Sequence, residues 1–163
     1  MRPDFTSFYE SEAPRLVRSV SLVTGDPVLA EDSVAEAFAR AWSRWPAVSG
    51  HQYPAAWVMR VALNEARSRF RHRSVERRNA PMIARADMTD DPFPQVDRRL
   101  WDAFRELPRK ERTFIALRYV ADLSQAEIAD VLGIPPGTVA SGLNRARHKL
   151  GAALGSDYKE EFT

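Results

Sequence analysis

Residues 79–94 read NAPMIARADMTDDPFP, and this stretch constrains the fold more than any other. It holds Pro81, Pro92 and Pro94 together with three aspartates, and few side chains able to build a core. Ordering a segment costs roughly 1 to 2 kcal/mol per residue, more than so little apolar surface can offset, so the composition predicts a mobile acidic linker over 79–95. The 163-residue chain is thereby expected to form two small helical domains, 1–78 and 96–154, with a tail at 155–163.

Both flanking segments show helical periodicity and no convincing strand alternation. A first helix is predicted from Asp4 to Thr24, with Phe5, Phe8, Tyr9, Leu16, Val20 and Val23 facing inward and a kink or break at Pro14. Gly25 should end it, and Asp26-Pro27 should restart the chain as an N-cap followed by proline at the first helical position. The second helix carries Val34, Phe38, Ala41 and Trp45 on one stripe and is expected to close at Pro46, before a loop over 47–53. A third begins near Pro54 with two rows offset by one residue. Met59, Leu63, Ala66 and Phe70 form the apolar row, and Arg60, Asn64, Arg67 and Arg71 the polar one. Glu65 is the only acid between Trp57 and Val75, where a solvated helix usually mixes signs to gain i,i+4 pairs. An uncompensated row of this kind suits phosphates. Trp57 and Phe70 could stack on bases, although core packing is the expected role of Phe70.

In the second half, Leu100, Phe104 and Leu107 mark a helix ending at Pro108, and Phe114, Leu117 and Val120 mark another. Ser124 and Glu127 then have the spacing of a capping box, Ile128, Ala129 and Leu132 supply an inward face, and Gly133 supplies a left-handed stop. Pro135 and Pro136 prevent continuation yet suit the first turn of a new helix. In that last helix Val139, Leu143, Ala146 and Leu150 fall on one side, which leaves Ser141, Asn144, Arg145 and His148 outward with no acid among them. A helix, a tight turn and a second helix is the arrangement that presents its second member to a DNA major groove. Asn can bond an adenine edge, Arg can fork onto guanine, and Gly137 lets backbone amides approach a phosphate.

The net charge, +2 from 24 Lys+Arg against 22 Asp+Glu, is too small to argue for nucleic acid, so the distribution has to carry that inference. The absence of cysteine removes thiol chemistry and Cys-based zinc sites. His51, His72 and His148 sit in separate segments with no ligand spacing, so no metal or other cofactor is expected. No Ser/His/Asp set, paired carboxylate or Gly-rich phosphate loop points to an enzyme. The first residues lack a signal-peptide core and no run approaches the ~20 apolar residues of a membrane span, so a cytoplasmic protein without membrane contact is expected.

Taken in order, EDSVAEAFARAW, AAWVMRVALNEARSRFR, an acidic linker and LPRKERTFIALRYVADLSQAEIADVLGIPPGTVASGLNRARHKL resemble an extracytoplasmic-function (ECF) RNA polymerase sigma factor of the sigma-70 family, actinobacterial-like in its Arg-rich, Lys-poor composition. The resemblance runs from about Phe5 to Leu150. It implies an all-α fold of a region 2 domain and a region 4 helix-turn-helix domain. It further implies that Asp32, Glu36 and Arg40 dock on core polymerase, whose docking elements are the clamp helices of the largest subunit and the flap. Asn64, with the loop carrying Ser49, His51 and Tyr53, would capture a flipped base of the minus-ten non-template strand, flanked by Arg60, Arg67 and Arg71. Thr138, Ser141, Asn144, Arg145 and His148 would read the minus-35 duplex, and an anti-sigma factor would restrain the protein.

Three departures from the family pattern carry expectations. Ala140 and Gly142 stand where cations are common, so the recognition helix is expected to hold two phosphates fewer, each lowering the salt slope by about one. Gly142 should also cost the helix roughly 1 kcal/mol relative to Ala. Ala35 replaces a Gln usual before the clamp-binding glutamate. The alternative reading is a stand-alone helix-turn-helix regulator that binds an operator without polymerase.

Overall fold

A computed structural model of the chain describes residues 4–78 and 98–155, the span 74–78 by its backbone alone. The expected linker, and the expected tail beyond Gly155, lie outside the described residues. All regular structure among the described residues is helical, and the chain separates into two units, Met1–Asp90 and Asp91–Thr163.

In the first unit, α1 (Phe5–Thr24) runs through Pro14 without the predicted break. Pro14 lies on the exposed side, where water can take the carbonyl that its missing N–H leaves unpaired. Gly25 ends α1 at a φ of 74°, and its N–H donates to the Ser21 carbonyl at 2.8 Å. The Asp26 carboxylate then accepts from the Leu29 N–H at 3.0 Å, with Pro27 opening α2 (Pro27–Ser43). Pro46 does not close α2 as expected. It sits in the first turn of a short α3 (Trp45–Ser49), so part of the anticipated loop is helical. Proline lacks only the N–H that a first turn leaves unpaired in any case. The fourth helix, α4 (Pro54–Arg78), is the longest among the described residues.

α2 packs against both α1 and α4. Leu16, Val20, Leu29, Val34, Phe38, Val58, Met59 and Ala62 are buried between them. Phe5 joins the helices by aromatic edges, 4.9 Å from Trp42, 5.3 Å from Trp45 and 6.3 Å from Phe38, ring centre to ring centre. Tyr9, expected inside, is exposed on one side while its ring meets Phe38 edge-on at 4.9 Å between centres. Phe70 is a further correction. It continues the apolar row of Met59, Leu63 and Ala66, yet half of it is open to solvent, because α1 lies mainly on α2 and meets α4 little.

In the second unit, α5 (Arg98–Glu106) and α6 (Arg109–Ile115) precede a π-helical turn, Ala116–Val120, that periodicity does not indicate. The Ala121 N–H reaches back to the Ala116 carbonyl at 3.0 Å, and the added residue buries Leu117 while leaving Val120 only partly covered. α7 (Gln125–Leu132) starts where predicted, with Ser124 Oγ accepting from the Glu127 N–H at 3.1 Å, and stops at Gly133 with φ 65°. Pro135 and Pro136 lead into α8 (Pro136–Leu154), which packs on α5, α6 and α7 through Val139, Leu143, Ala146, Leu150 and Leu154.

Gly142 belongs to this buried face, which overturns its reading as a position where a cation is missing. A Cβ there would stand 2.2 Å from Cε2 of the fully buried Phe114, so no side chain at this position reaches DNA without moving the α6 ring. Helix propensity alone makes Gly142→Ala stabilising by roughly 1 kcal/mol. Overpacking against Phe114 should reverse the sign, to a destabilisation of about 1 to 3 kcal/mol in denaturant unfolding. Adding Phe114→Leu to Gly142→Ala should recover part of that stability, and a Gly142→Ala protein more stable than the parent would contradict the packing described.

Candidate nucleic-acid interface

The geometry of α4 sorts its charges into two sets. On one side of the apolar stripe the cations are engaged by acids. Asp26 holds Arg73 at 2.7 Å, Glu65 holds Arg69 at 3.1 Å and Arg40 at 3.0 Å, and Arg40 also meets Glu36 at 3.0 Å. Asp32 lies 4.0 Å from Arg69. These pairs are partly exposed and each contributes up to about 1 kcal/mol, but together they tie α2 to α4 and neutralise the cations on this side. At 3.6 residues per turn, Arg60, Asn64, Arg67 and Arg71 fall on the opposite side. All four are exposed, and among the described residues none makes an ion pair or hydrogen bond through its side chain. Among the described residues the row is a line of cations and one amide with no internal competitor.

Ser49, His51 and Tyr53 sit at the N-terminal end of this helix. The loop is held locally: Ser49 Oγ donates to the Pro46 carbonyl at 3.4 Å, His51 Nδ1 accepts from the Tyr53 N–H at 3.3 Å, and Gln52 Nε2 donates to the Tyr53 hydroxyl at 3.2 Å. No side-chain hydrogen bond joins the loop to the α4 row among the described residues. Trp57 is half-buried and Phe70 is exposed beside Arg71, which leaves Phe70 the more open aromatic for stacking. On α2, Asp32 is exposed and Glu36 half-covered, whereas Arg40 is taken up by the two glutamates.

In the second unit Ser141, Asn144, Arg145 and His148 stand exposed along α8, with Thr138 partly covered near its start. Asn144, Arg145, His148 and Lys149 line one shallow depression. The Ser141 hydroxyl lies within hydrogen-bond distance of its own helix, 3.1 Å from the Gly137 carbonyl and 3.2 Å from that of Thr138, which leaves its oxygen able to accept. Arg147, which the stripe pattern does not single out, braces the face from the side. Its Nε donates to the Tyr119 hydroxyl at 2.7 Å and one Nη to Asn144 Oδ1 at 3.4 Å.

A second group that the sequence reading misses gathers at α5 and α6. Arg105 and Arg109 are exposed and crowd the half-buried Arg112, whose pKa is lowered by burial first, then by the Arg109 and Arg105 charges. Guanidinium keeps its proton regardless, so the cluster stays cationic. The run RKER at 109–112 is its one sequence signal; the contribution of Arg105 from the preceding helix is not visible in it.

The family model for sigma-70 region 2 matches residues 8–75, and the model for sigma-70 region 4 matches residues 97–150. The chain is 35% identical to the ECF RNA polymerase sigma factor SigL of Mycobacterium tuberculosis over 157 residues, covering 91% of this chain and 87% of that one. This chain belongs to the ECF group of the sigma-70 family. It is 30% identical to the RNA polymerase sigma-E factor of Streptomyces coelicolor over 148 residues, 90% of this chain and 84% of the relative. The fold resembles that of the Bartonella quintana sigma factor RpoE, solved in complex with the anti-sigma factor NepR, with a TM-score of 0.75 at 23% identity over 93% of this sigma factor and 96% of RpoE. No helix among the described residues is long and apolar enough to cross a membrane.

Ala140 is partly covered but lies outside the fully buried face of α8, so two positions that look equivalent in the sequence separate in the structure. Ala140→Arg should steepen the salt dependence of minus-35 duplex binding by about one counterion. Gly142→Arg should instead lower the melting temperature. A steeper salt dependence from Gly142→Arg with unchanged stability would contradict the inward placement of that glycine.

Proposed function

We propose that this sigma factor directs core RNA polymerase to promoters by gripping single-stranded minus-ten DNA with α4 and intact minus-35 duplex with α8. The observation that carries the reading is the division of charge on α4: acids neutralise Arg69 and Arg73, while Arg60, Asn64, Arg67 and Arg71 face outward with no acid paired to them among the described residues. In this reading Asn64, with Ser49, His51 and Tyr53, takes a base extruded from the non-template strand, and the arginines hold the flanking phosphates. Unstacking a base costs a few kcal/mol, which pocket interactions and phosphate pairing offset. Thr138, Ser141, Asn144, Arg145 and His148 meet the minus-35 groove.

Asp32, exposed and 4.0 Å from Arg69, and Glu36, held by Arg40, would turn their open sides to the polymerase clamp helices, with Arg40, itself exposed and paired to Glu36 and Glu65, beside them. The flap of polymerase is the corresponding partner of the second unit. The protein performs no catalysis of its own, works in the cytoplasm where its polymerase is, and is held in check by an anti-sigma factor, the class of partner found with RpoE of Bartonella quintana. An operator-binding regulator acting through α8 alone leaves the α4 row without a role.

Run-off transcription by core polymerase on fragments of the host genome tests the reading. Promoter-dependent transcript should require this chain. Asn64→Ala should impair strand opening while sparing duplex binding, and Arg145→Ala should weaken minus-35 binding by about 1 to 3 kcal/mol. Absence of any promoter-dependent transcript would refute the proposal, and unchanged opening by Asn64→Ala would refute the assignment of the base-capturing residue.

A further inference from the structure

Glu111, on α6, is the one carboxylate among the described residues that is buried, and it lies beneath the DNA-facing side of α8. Its Oε1 accepts from Lys149 Nζ at 2.9 Å and stands 3.9 Å from Arg145 Nε. Its Oε2 is buried with no hydrogen-bond partner. A buried carboxylate with half its acceptor capacity unused is costly to keep, and core packing gives no reason for it. Both cations it faces are themselves exposed and line the depression on α8.

The side of Arg145 turned toward Glu111 is decisive. Guanidinium offers its donors in a fixed fork, and guanine is read by two of them at once, on O6 and N7. With Nε the arginine atom nearest the carboxylate, the two Nη groups remain for the groove, and the negative charge below limits swinging of the long side chain. We propose that Glu111 is a positioning residue for base readout: through Nε it presents the outer edge of Arg145 to one guanine of the minus-35 element, while Lys149 supplies the second positive charge that keeps the buried carboxylate neutralised. The inference rests on the reading of α8 as the minus-35 helix and adds a determinant of its specificity that touches no DNA.

A residue that only stabilised the domain would affect every duplex alike when replaced. A residue that orients Arg145 affects one base pair. Holoenzyme made with the full chain is therefore assayed on duplexes in which each minus-35 base pair is changed in turn. Arg145→Ala identifies the pair that it reads. Glu111→Gln, nearly isosteric, should lower discrimination at that same pair by about tenfold, within the range expected of one bidentate pairing, and leave the other positions unaltered. Non-specific affinity should stay level or rise, because Arg145 and Lys149 are freed of their internal competitor for phosphate. In an Arg145→Ala background, Glu111→Gln should have no further effect on discrimination.

Glu111→Asp withdraws the charge by one methylene and should give an intermediate reduction; it carries the same test if the Gln variant melts too low to assay. Equal weakening on all duplexes, or a drop in discrimination in the double variant beyond that of Arg145→Ala alone, would overturn the inference. If Arg145→Ala relaxes one base pair and neither Glu111 variant does, the positioning role fails and the sigma reading stands. If the parent chain shows no promoter preference, the failure belongs to the underlying reading.

Discussion

Neutralisation of one side of α4 by α2 is the constraint on which the first unit depends. Four acids, Asp26, Asp32, Glu36 and Glu65, sit where they meet Arg40, Arg69 and Arg73, so the helix enters the bundle with its positive charge on that flank cancelled. Individually such pairs stabilise little. Their consequence is electrostatic selection: the cations left over in the Arg60 to Arg71 row are on the far flank, spaced about a turn apart, where a polyanion can follow them. A chain with a net charge of only +2 can thus present a concentrated positive line.

The second unit reaches a comparable result through packing. α8 can turn Asn144, Arg145 and His148 outward only because its other side is locked, and Gly142 lets the Phe114 ring lie directly against the helix backbone. The π-helical turn adds a residue before α7, and Tyr119 from that turn meets Arg147 on α8. Ser124, Gly133 and the proline pair define where α7 begins and ends and where α8 starts. Buried in the same region, Glu111 couples α6 to the cations on the polar side of α8. Stability and readout share residues here.

Much of this is legible in the residues. Local chemistry that acts within four positions, such as the Asp26 and Ser124 caps, the Gly25 and Gly133 stops and the 3.6-residue stripes, can be placed from sequence because its partners are near along the chain. Errors arise where a distant element decides. Periodicity puts Phe70 inside, but no helix among the described residues arrives to cover it. The family pattern makes Gly142 an outward position short of a cation, although it stands three residues after Val139 and four before Ala146 on the apolar side, and the Phe114 ring packed on it shows why a glycine is there. Pro14 and Pro46 resemble breaks, whereas exposure in one case and a first-turn position in the other make them tolerable. The π turn has no periodic signature at all. In the site itself the Arg60 to Arg71 row is visible from the sequence, but the use of Arg40 as an internal tie and the burial of Glu111 depend on long-range partners.

Two sets of arginines on one helix have different duties, and the salt dependence of binding to single-stranded minus-ten DNA by the assembled holoenzyme tests that claim most directly. Replacing Arg67 and Arg71 by Ala should reduce the slope of log affinity against log salt by about 0.7 for each phosphate no longer paired. Replacing Arg69 and Arg73 should leave that slope unchanged while lowering the stability of the first unit. The reverse pattern, with the slope following Arg69 and Arg73, would contradict the division of charge on α4.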